Sequence, residues 1–279
     1  MRERTFGLVT VGLHTSVPDV QSRKKSSAGV PLVMVTAYDT PGALIVDKAN
    51  VDIILVGDSL GMVVLGYDDT LSVTIEDMVH HTRAVARAKP RALLVADLPW
   101  MTYHLSKRDT LRNASQLIRA GAQAVKLEGG AKRRRMIEAL VDAEIPVMGH
   151  LGLTPQSVNV MGGFKVQARD SDQAQTLIEE AELLAQIGCF SLVLEGIPSQ
   201  VSEEVTNRIP IPTIGIGAGI HCDGQVLVFH DILGFQEKGD AKFVRRYADI
   251  GKIATKAIED FARDVQSGRY PQEKESYGL

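Results

Sequence analysis

A chain of 279 residues with 44% hydrophobic composition can bury a large core without disulfide or metal staples. Its formal charge of −3, from 31 Lys and Arg against 34 Asp and Glu, provides no field that would gather nucleic acid or an anionic membrane. The expected partners are therefore small molecules, with no nucleic acid and no membrane among them. The two cysteines, Cys189 and Cys222, stand in unrelated contexts without metal-ligand spacing. That usage suits a reducing compartment, and the cytoplasm is the expected location.

Residues 1–30 carry Arg2 and Arg4 ahead of a short apolar run, Phe6 to Leu13, broken by Gly7 and Gly12. The run is too short to cross a bilayer and lacks a small-residue cleavage site, so a loosely ordered N-terminal extension is expected. Over residues 31–279 short β-branched runs alternate with helical patterns, as in parallel βαβ units. The runs are 32–39, 52–59, 92–99, 124–129, 146–152, 191–196, 212–219 and 225–231. Between most of them lie amphipathic segments: Thr74–Lys89, opening with the cap-like "TIED", then Lys107–Ala120, Ala131–Glu144, Ser171–Ile187 and Ser199–Arg208. A last helix over about 241–266 closes the chain. Eight such units in a single domain match a (β/α)8 TIM-type barrel, for which about 250 residues is typical. A doubly wound sheet is the alternative.

In such barrels the chemistry sits at the C-terminal ends of the strands. Polar residues cluster at those ends here: Asp39, Asp58 with Ser59, Asp97, Lys126 with Glu128, His150 and Glu195. Counting by twos places Asp58 on a face with Val56 and Ile54, Asp97 with Val95 and Leu93, and Glu195 with Val193 and Ser191. If those faces line the barrel, the carboxylates converge at one mouth. Asp58, Asp97 and Glu128 fall on successive strands, each about one βα repeat from the next. Three carboxylates held together repel one another unless protonated or bridged by a cation, and an all-oxygen set favours Mg²⁺ over zinc. Any one of these acids alone reads equally as a solvated strand end or a helix cap. Lys126 shares a face with Glu128 and either pairs with it or holds an anionic substrate group. Glu195 ends an apolar run, where partial burial would raise its pKa from about 4.3 toward the range of a general base; the alternative is a structural acid.

Other motifs carry less. "GDSLG" (57–61) fits the G-x-S-x-G pattern of a serine hydrolase, which needs a helix immediately afterwards. The following stretch is β-branched and glycine-interrupted, so no helix is expected before about Thr74. "GIGAG" (215–219) lacks the P-loop lysine and reads as a tight strand-end turn, and "KRRR" (132–135) reads as a solvated helical face.

Long ordered stretches, among them "VGDSLGMVVLGYDDTLSVT", "ADLPWM", "VKLEGG", "PVMGHLGLTPQSVN", "LVLEGIP" and "IPTIGIGAG", carry a resemblance that runs from about Val33 to about Pro271. Over that span the chain resembles the ketopantoate hydroxymethyltransferase (3-methyl-2-oxobutanoate hydroxymethyltransferase) family of pantothenate synthesis. The resemblance implies a barrel assembled as a homo-oligomer, a decamer in the family's well-known bacterial members. It further implies Mg²⁺ and 5,10-methylenetetrahydrofolate, which donates a one-carbon unit to 3-methyl-2-oxobutanoate through a Mg-stabilised enolate, giving 2-dehydropantoate. By this resemblance Asp58, Asp97 and Glu128 surround the metal. Asp58, Ser59, Asp97 and Lys126 contact the 2-oxo acid, and Glu195 is the proton acceptor. His150 matches a family active-site position. Two other readings stand beside this one. A Mg²⁺-dependent carbon–carbon lyase of the phosphoenolpyruvate mutase and isocitrate lyase type shares the barrel, but its usual cysteine near the metal has no counterpart at a strand end. A non-catalytic barrel would be favoured by loss of a metal carboxylate, and none is missing.

Overall fold

Strands buried on both faces need unbroken aliphatic sequence, and the eight aliphatic runs form eight parallel strands in a computed structural model that describes residues 14–24, 29–235 and 241–278. They are β1 (Leu32–Thr36), β2 (Ile53–Val56), β3 (Leu93–Asp97), β4 (Ala124–Lys126), β5 (Val147–Gly152), β6 (Ser191–Glu195), β7 (Thr213–Ile216) and β8 (Gly224–Leu227). Each pairs with its sequence neighbour, and β8 pairs back onto β1 from Leu32 with Gly224 to Val35 with Leu227. The sheet is thus a closed (β/α)8 barrel, not the doubly wound alternative. Helices return the chain between most strands, and local chemistry sets their ends. Thr74 and Asp77 form a capping box before the helix Ile75–Ala86. Ser106 caps Lys107–Ala120, which stops where Gly121 turns left-handed.

Side chains fill the barrel interior. Leu32, Met34, Ile53, Leu55, Leu93, Val95, Ala124, Met148, Val193, Ile214 and Val226 form one buried cluster. On β3 and β6 the inward residues are those reached by counting back from Asp97 and Glu195. On β2 they are Ile53 and Leu55, and the expected Ile54 and Val56 lie on the other face. The strand ends at Val56, so the turn through Gly57 breaks the two-residue alternation before Asp58 is reached.

The chain divides into one compact unit ending at Leu227 and a second over Val228–Leu279. The strand expected over 225–231 and the start of the helix expected over about 241–266 differ from those read in the sequence. The apolar run 225–231 is strand only to Leu227; Phe229–Leu233 is a short helix closed by Gly234 at φ 65°. The last helix covers Ile250–Gln266. Among the described residues no helix is long and apolar enough to cross a membrane.

Part of the expected loose extension is also ordered. Val17–Ser22 is a helix with a Ser16–Asp19 capping box, and the Thr15 N–H donates to the Arg91 carbonyl at 2.7 Å just before β3. Val20 of this helix is fully buried in the interior cluster. The helix therefore seals the barrel at the N-terminal ends of its strands. Residues 1–13 and 25–28 of the extension lie outside the described residues. Val20→Ala should accordingly lower stability by about 1–3 kcal/mol, read as a shifted denaturant midpoint. An unchanged midpoint would mean that this helix adds nothing to the core.

Candidate active site

Asp97 is the last residue of β3, Lys126 of β4 and Glu195 of β6. Glu128 follows β4 by two residues, His150 lies within β5, and Asp58 and Ser59 occupy the turn after β2. In a parallel barrel these ends face the same way, so six of the polar residues meet at one mouth together with Ser59. Asp58, Asp97, Lys126, Glu128 and His150 are each no more than 5% exposed, and Glu195 is partly exposed. Asp39 stands apart: its carboxylate accepts from the Gly42 N–H and caps the helix Thr40–Lys48.

Strand register places Asp97 beside Lys126, and Lys126 Nζ donates to Asp97 Oδ1 at 2.8 Å. Asp97 Oδ2 accepts the Asp58 N–H at 3.1 Å. The lysine therefore pairs with the neighbouring strand, not with the glutamate two residues along its own chain. Burial opposes its charge, but Asp97, Glu128 and Asp58 outweigh burial and raise its pKa above the ordinary lysine value. Lys126 is a permanent cation. Burial acts the other way on Asp58 and, with repulsion from Asp97 and Glu128, holds its carboxyl well above the usual range against Lys126 and Gln156.

His150 lies between two acids. Its Nδ1 is 3.5 Å from Glu128 Oε1 and its Nε2 is 3.3 Å from Glu195 Oε2. Both carboxylates flank the ring at the long edge of hydrogen-bonding distance, close enough to stabilise its charged form. Burial and then Lys126 oppose a second cation here, yet the two carboxylates prevail and raise its pKa to about 9. At neutral pH His150 is an imidazolium linking Glu128 to Glu195. Glu195 thus faces a cation, not the apolar surroundings suggested by the run that precedes it. Close approach of β5 to β6 makes this possible: Gly152 has φ 95°, and a side chain there would collide with the Glu195 carbonyl.

Two neutral residues that drew no attention in the sequence hold the acids from behind. Gln156, in a single turn over Pro155–Ser157, donates from Nε2 to Asp58 Oδ2 at 2.8 Å and to the Leu98 carbonyl at 3.0 Å. Its backbone N–H donates to Glu128 Oε2 at 3.0 Å. Tyr103 donates from its hydroxyl to Gln156 Oε1 at 2.6 Å and accepts the Glu128 N–H at 3.2 Å. The available signal was position alone: Gln156 lies inside "GLTPQSVN" and Tyr103 two residues beyond "ADLPWM".

Ser59 is bonded to tyrosine. Its Oγ is 2.8 Å from the Tyr38 hydroxyl, while His81 Nδ1 contacts the Tyr38 carbonyl oxygen at 2.7 Å. A one-turn helix, Leu60–Val63, follows Ser59 directly, earlier than the sequence pattern suggested, with Leu60 fully buried beneath it. No nucleophile elbow results, because Ser59 has ordinary helical angles (φ −50°, ψ −18°) and, among the described residues, its hydroxyl is bonded to Tyr38 and not to a histidine.

The donor chemistry suits a hard divalent cation. Asp58, Asp97, Glu128 and Glu195 share two cationic partners, Lys126 and His150, and the unbalanced repulsion contributes to lifting Asp58. Among the described residues no three His, Cys, Asp or Glu side chains form a ready-made cage. Mg²⁺ does not require one, since it commonly takes one or two carboxylates and completes its shell with water and substrate oxygens.

Two measurements check this geometry. A raised His150 pKa contributes stability that is full below about 6.5 and lost as pH rises toward about 9. Metal-free wild type should therefore lose stability on the order of 3 kcal/mol across that interval relative to His150→Gln. Parallel pH profiles for the two proteins would show that His150 is neutral. A fluorophosphonate should leave Ser59 unlabelled, and stoichiometric labelling with loss of activity would restore the hydrolase reading.

Comparison with known proteins identifies the family. The sequence profile of the ketopantoate hydroxymethyltransferase family matches residues 14–273. A 3-methyl-2-oxobutanoate hydroxymethyltransferase of Methylobacterium sp. (strain 4-46) is 56% identical over 95% of this chain and 91% of its own length. One of Pyrobaculum aerophilum is 55% identical over 88% of this chain and 93% of its own. Among solved structures, 2,3-dimethylmalate lyase, a PEP mutase/isocitrate lyase superfamily member, superposes with a TM-score of 0.60 at 17% identity, covering 94% of this chain and 92% of that one. Phosphonopyruvate hydrolase in complex with oxalate and Mg²⁺ gives 0.58 at 14% identity, covering 94% and 93%. At such identities these two speak for the barrel alone, and the close relatives decide between transferase and lyase. A profile match across the whole barrel, joined to identity above one half along nearly the full length of both chains, makes this protein a member of the ketopantoate hydroxymethyltransferase family.

Proposed function

We propose that this enzyme transfers a one-carbon unit from 5,10-methylenetetrahydrofolate to 3-methyl-2-oxobutanoate, consuming one water and giving 2-dehydropantoate and tetrahydrofolate. The observation that carries the reading is the pairing at one mouth of a permanent cation, Lys126 on Asp97, with a partly exposed carboxylate, Glu195, held by His150. The first is suited to a 2-oxo acid anion and the second to its acidic C–H.

Asp58, Asp97 and Glu128 would surround Mg²⁺, each with one oxygen already oriented by a protein donor. When bound, Mg²⁺ supplies Lewis acidity that polarises the 2-oxo group. Lys126 holds the substrate carboxylate without leaving Asp97, since its ammonium has three donors. Glu195 takes the C3 proton, and the imidazolium of His150 keeps that carboxylate directed at the substrate. Charge developing on the 2-oxo oxygen lies in a buried site where Lys126 is fixed in advance, so its stabilisation requires little reorganisation. Water cleaves the two C–N bonds of the folate methylene, leaving tetrahydrofolate and a one-carbon unit at the oxidation level of formaldehyde. The C3 carbanion adds to that carbonyl carbon, and the alkoxide takes up the proton that Glu195 removed, giving the hydroxymethyl group. Ser59, held by Tyr38, would contact the substrate beside Asp58. Family membership also leads us to propose a homo-oligomer, a decamer by that analogy, working in the cytoplasm.

Incubation with both substrates and Mg²⁺ should yield 2-dehydropantoate; its absence would sink the reading. Chelation should abolish turnover and Mg²⁺ restore it, whereas full turnover by thoroughly stripped protein would rule out the metal. Glu195→Gln should still bind Mg²⁺ and 3-methyl-2-oxobutanoate. Its exchange of the C3 hydrogen into deuterated water, followed by NMR without folate, should fall by at least about 100-fold. Near-wild-type exchange would remove Glu195 from the role of base.

A further inference from the structure

Tyr103 and Gln156 are buried, touch the carboxylate cluster from two loops, and are not used by the chemistry above. Tyr103 comes from the segment between β3 and the helix Lys107–Ala120, and Gln156 from the segment after β5. Their partners fix the direction of every bond. Asp58 Oδ2 and the Leu98 carbonyl only accept when the acid is ionised, so the Gln156 atom facing both is its amide nitrogen. Tyr103 already accepts the Glu128 N–H, so its own proton goes to Gln156 Oε1. Both amide protons and the amide oxygen are then occupied, and neither rotation nor a flip is possible without stranding a buried polar group.

The chain of contacts runs Glu128 N–H to Tyr103, Tyr103 to Gln156, Gln156 to Asp58, and Gln156 N–H back to Glu128 Oε2. It is a closed loop that fixes two acids of the proposed metal site at once. Its neutrality matters as much as its geometry. A lysine or arginine behind Asp58 would orient the carboxylate but cancel the charge that draws a cation, whereas an amide orients it and leaves the charge in place.

We propose that Tyr103 and Gln156 are positioning residues that aim Asp58 and Glu128 toward the divalent cation, an inference that rests on the Mg²⁺ reading given above. The pair acts through the carboxylates and does not touch the reacting atoms.

The test is direct binding of Mn²⁺, used as the paramagnetic probe and followed by EPR of the free ion without substrate, in wild type, Tyr103→Phe, Gln156→Met and the double variant. Thermal melts of the metal-free proteins run in parallel. Each single variant should bind Mn²⁺ about 10–100-fold more weakly than wild type. The double variant should lose little beyond the weaker single, because Tyr103 acts largely through Gln156. Tyr103→Phe keeps the ring and carries the test by itself if Gln156→Met does not fold. Affinities within about twofold of wild type, or losses that multiply fully in the double variant, would overturn the proposal. Failure of the wild type to bind Mn²⁺ would overturn the Mg²⁺ reading and this inference with it.

Discussion

Lys126 and Asp97 stand at paired positions on the ends of β4 and β3, almost wholly buried, and neither tolerates the loss of the other. Removing one member of a buried pair leaves an uncompensated charge and typically costs about 3–5 kcal/mol, although the intact pair adds little net stability over an apolar replacement. Stability is therefore a weak reason for its presence. The consequences spread outward from it. Asp97 spends its second oxygen on the Asp58 backbone, which fixes the turn after β2. The charge on Lys126 opposes protonation of His150, and only two flanking carboxylates overcome that opposition.

The barrel makes the cluster physically tolerable. Four acids at one mouth repel strongly where water is scarce, and the response differs from acid to acid. Asp97 takes a lysine, Glu128 and Glu195 share an imidazolium, and Asp58 takes a neutral amide. Asp58 is thus the acid whose charge is least compensated by protein, consistent with its raised pKa and with a role beside a cation. Beneath the cluster the interior is aliphatic from β1 to β8, and Val20 belongs to the same packed core. A rigid apolar body gives the groups on its strand ends fixed positions, and the loops beside them complete the support.

Much of this could be read along the chain, and the failures have specific causes. The helices Lys107–Ala120 and Ser199–Arg208 span the residues their periodicity marks, the first with Ser106 and Gly121 at its ends. Alternation puts the wrong face of β2 inward because it holds only while the strand lasts, and Gly57 ends it. The apolar run 225–231 outlasts its strand because Val228 and Phe229 are apolar, and hydrophobicity alone cannot separate a buried strand from the start of a short helix. Asp39 and Asp58 look alike in sequence, yet one caps a helix and the other enters the site, a difference made by which backbone donors lie within reach.

The sequence by itself determined the barrel, the family and the set of charged residues. A parallel sheet covered on both faces demands aliphatic runs at regular spacing, and buried acids at strand ends are conspicuous against them. Only the tertiary structure decided who pairs with whom. Lys126 meets Asp97 and not Glu128 because cross-strand register, unlike spacing within a strand, appears only when the sheet closes. Gln156 and Tyr103 carry no charge and sit on loops, so nothing local marks them; folding brings them behind Asp58 and Glu128, where a buried carboxylate needs donors.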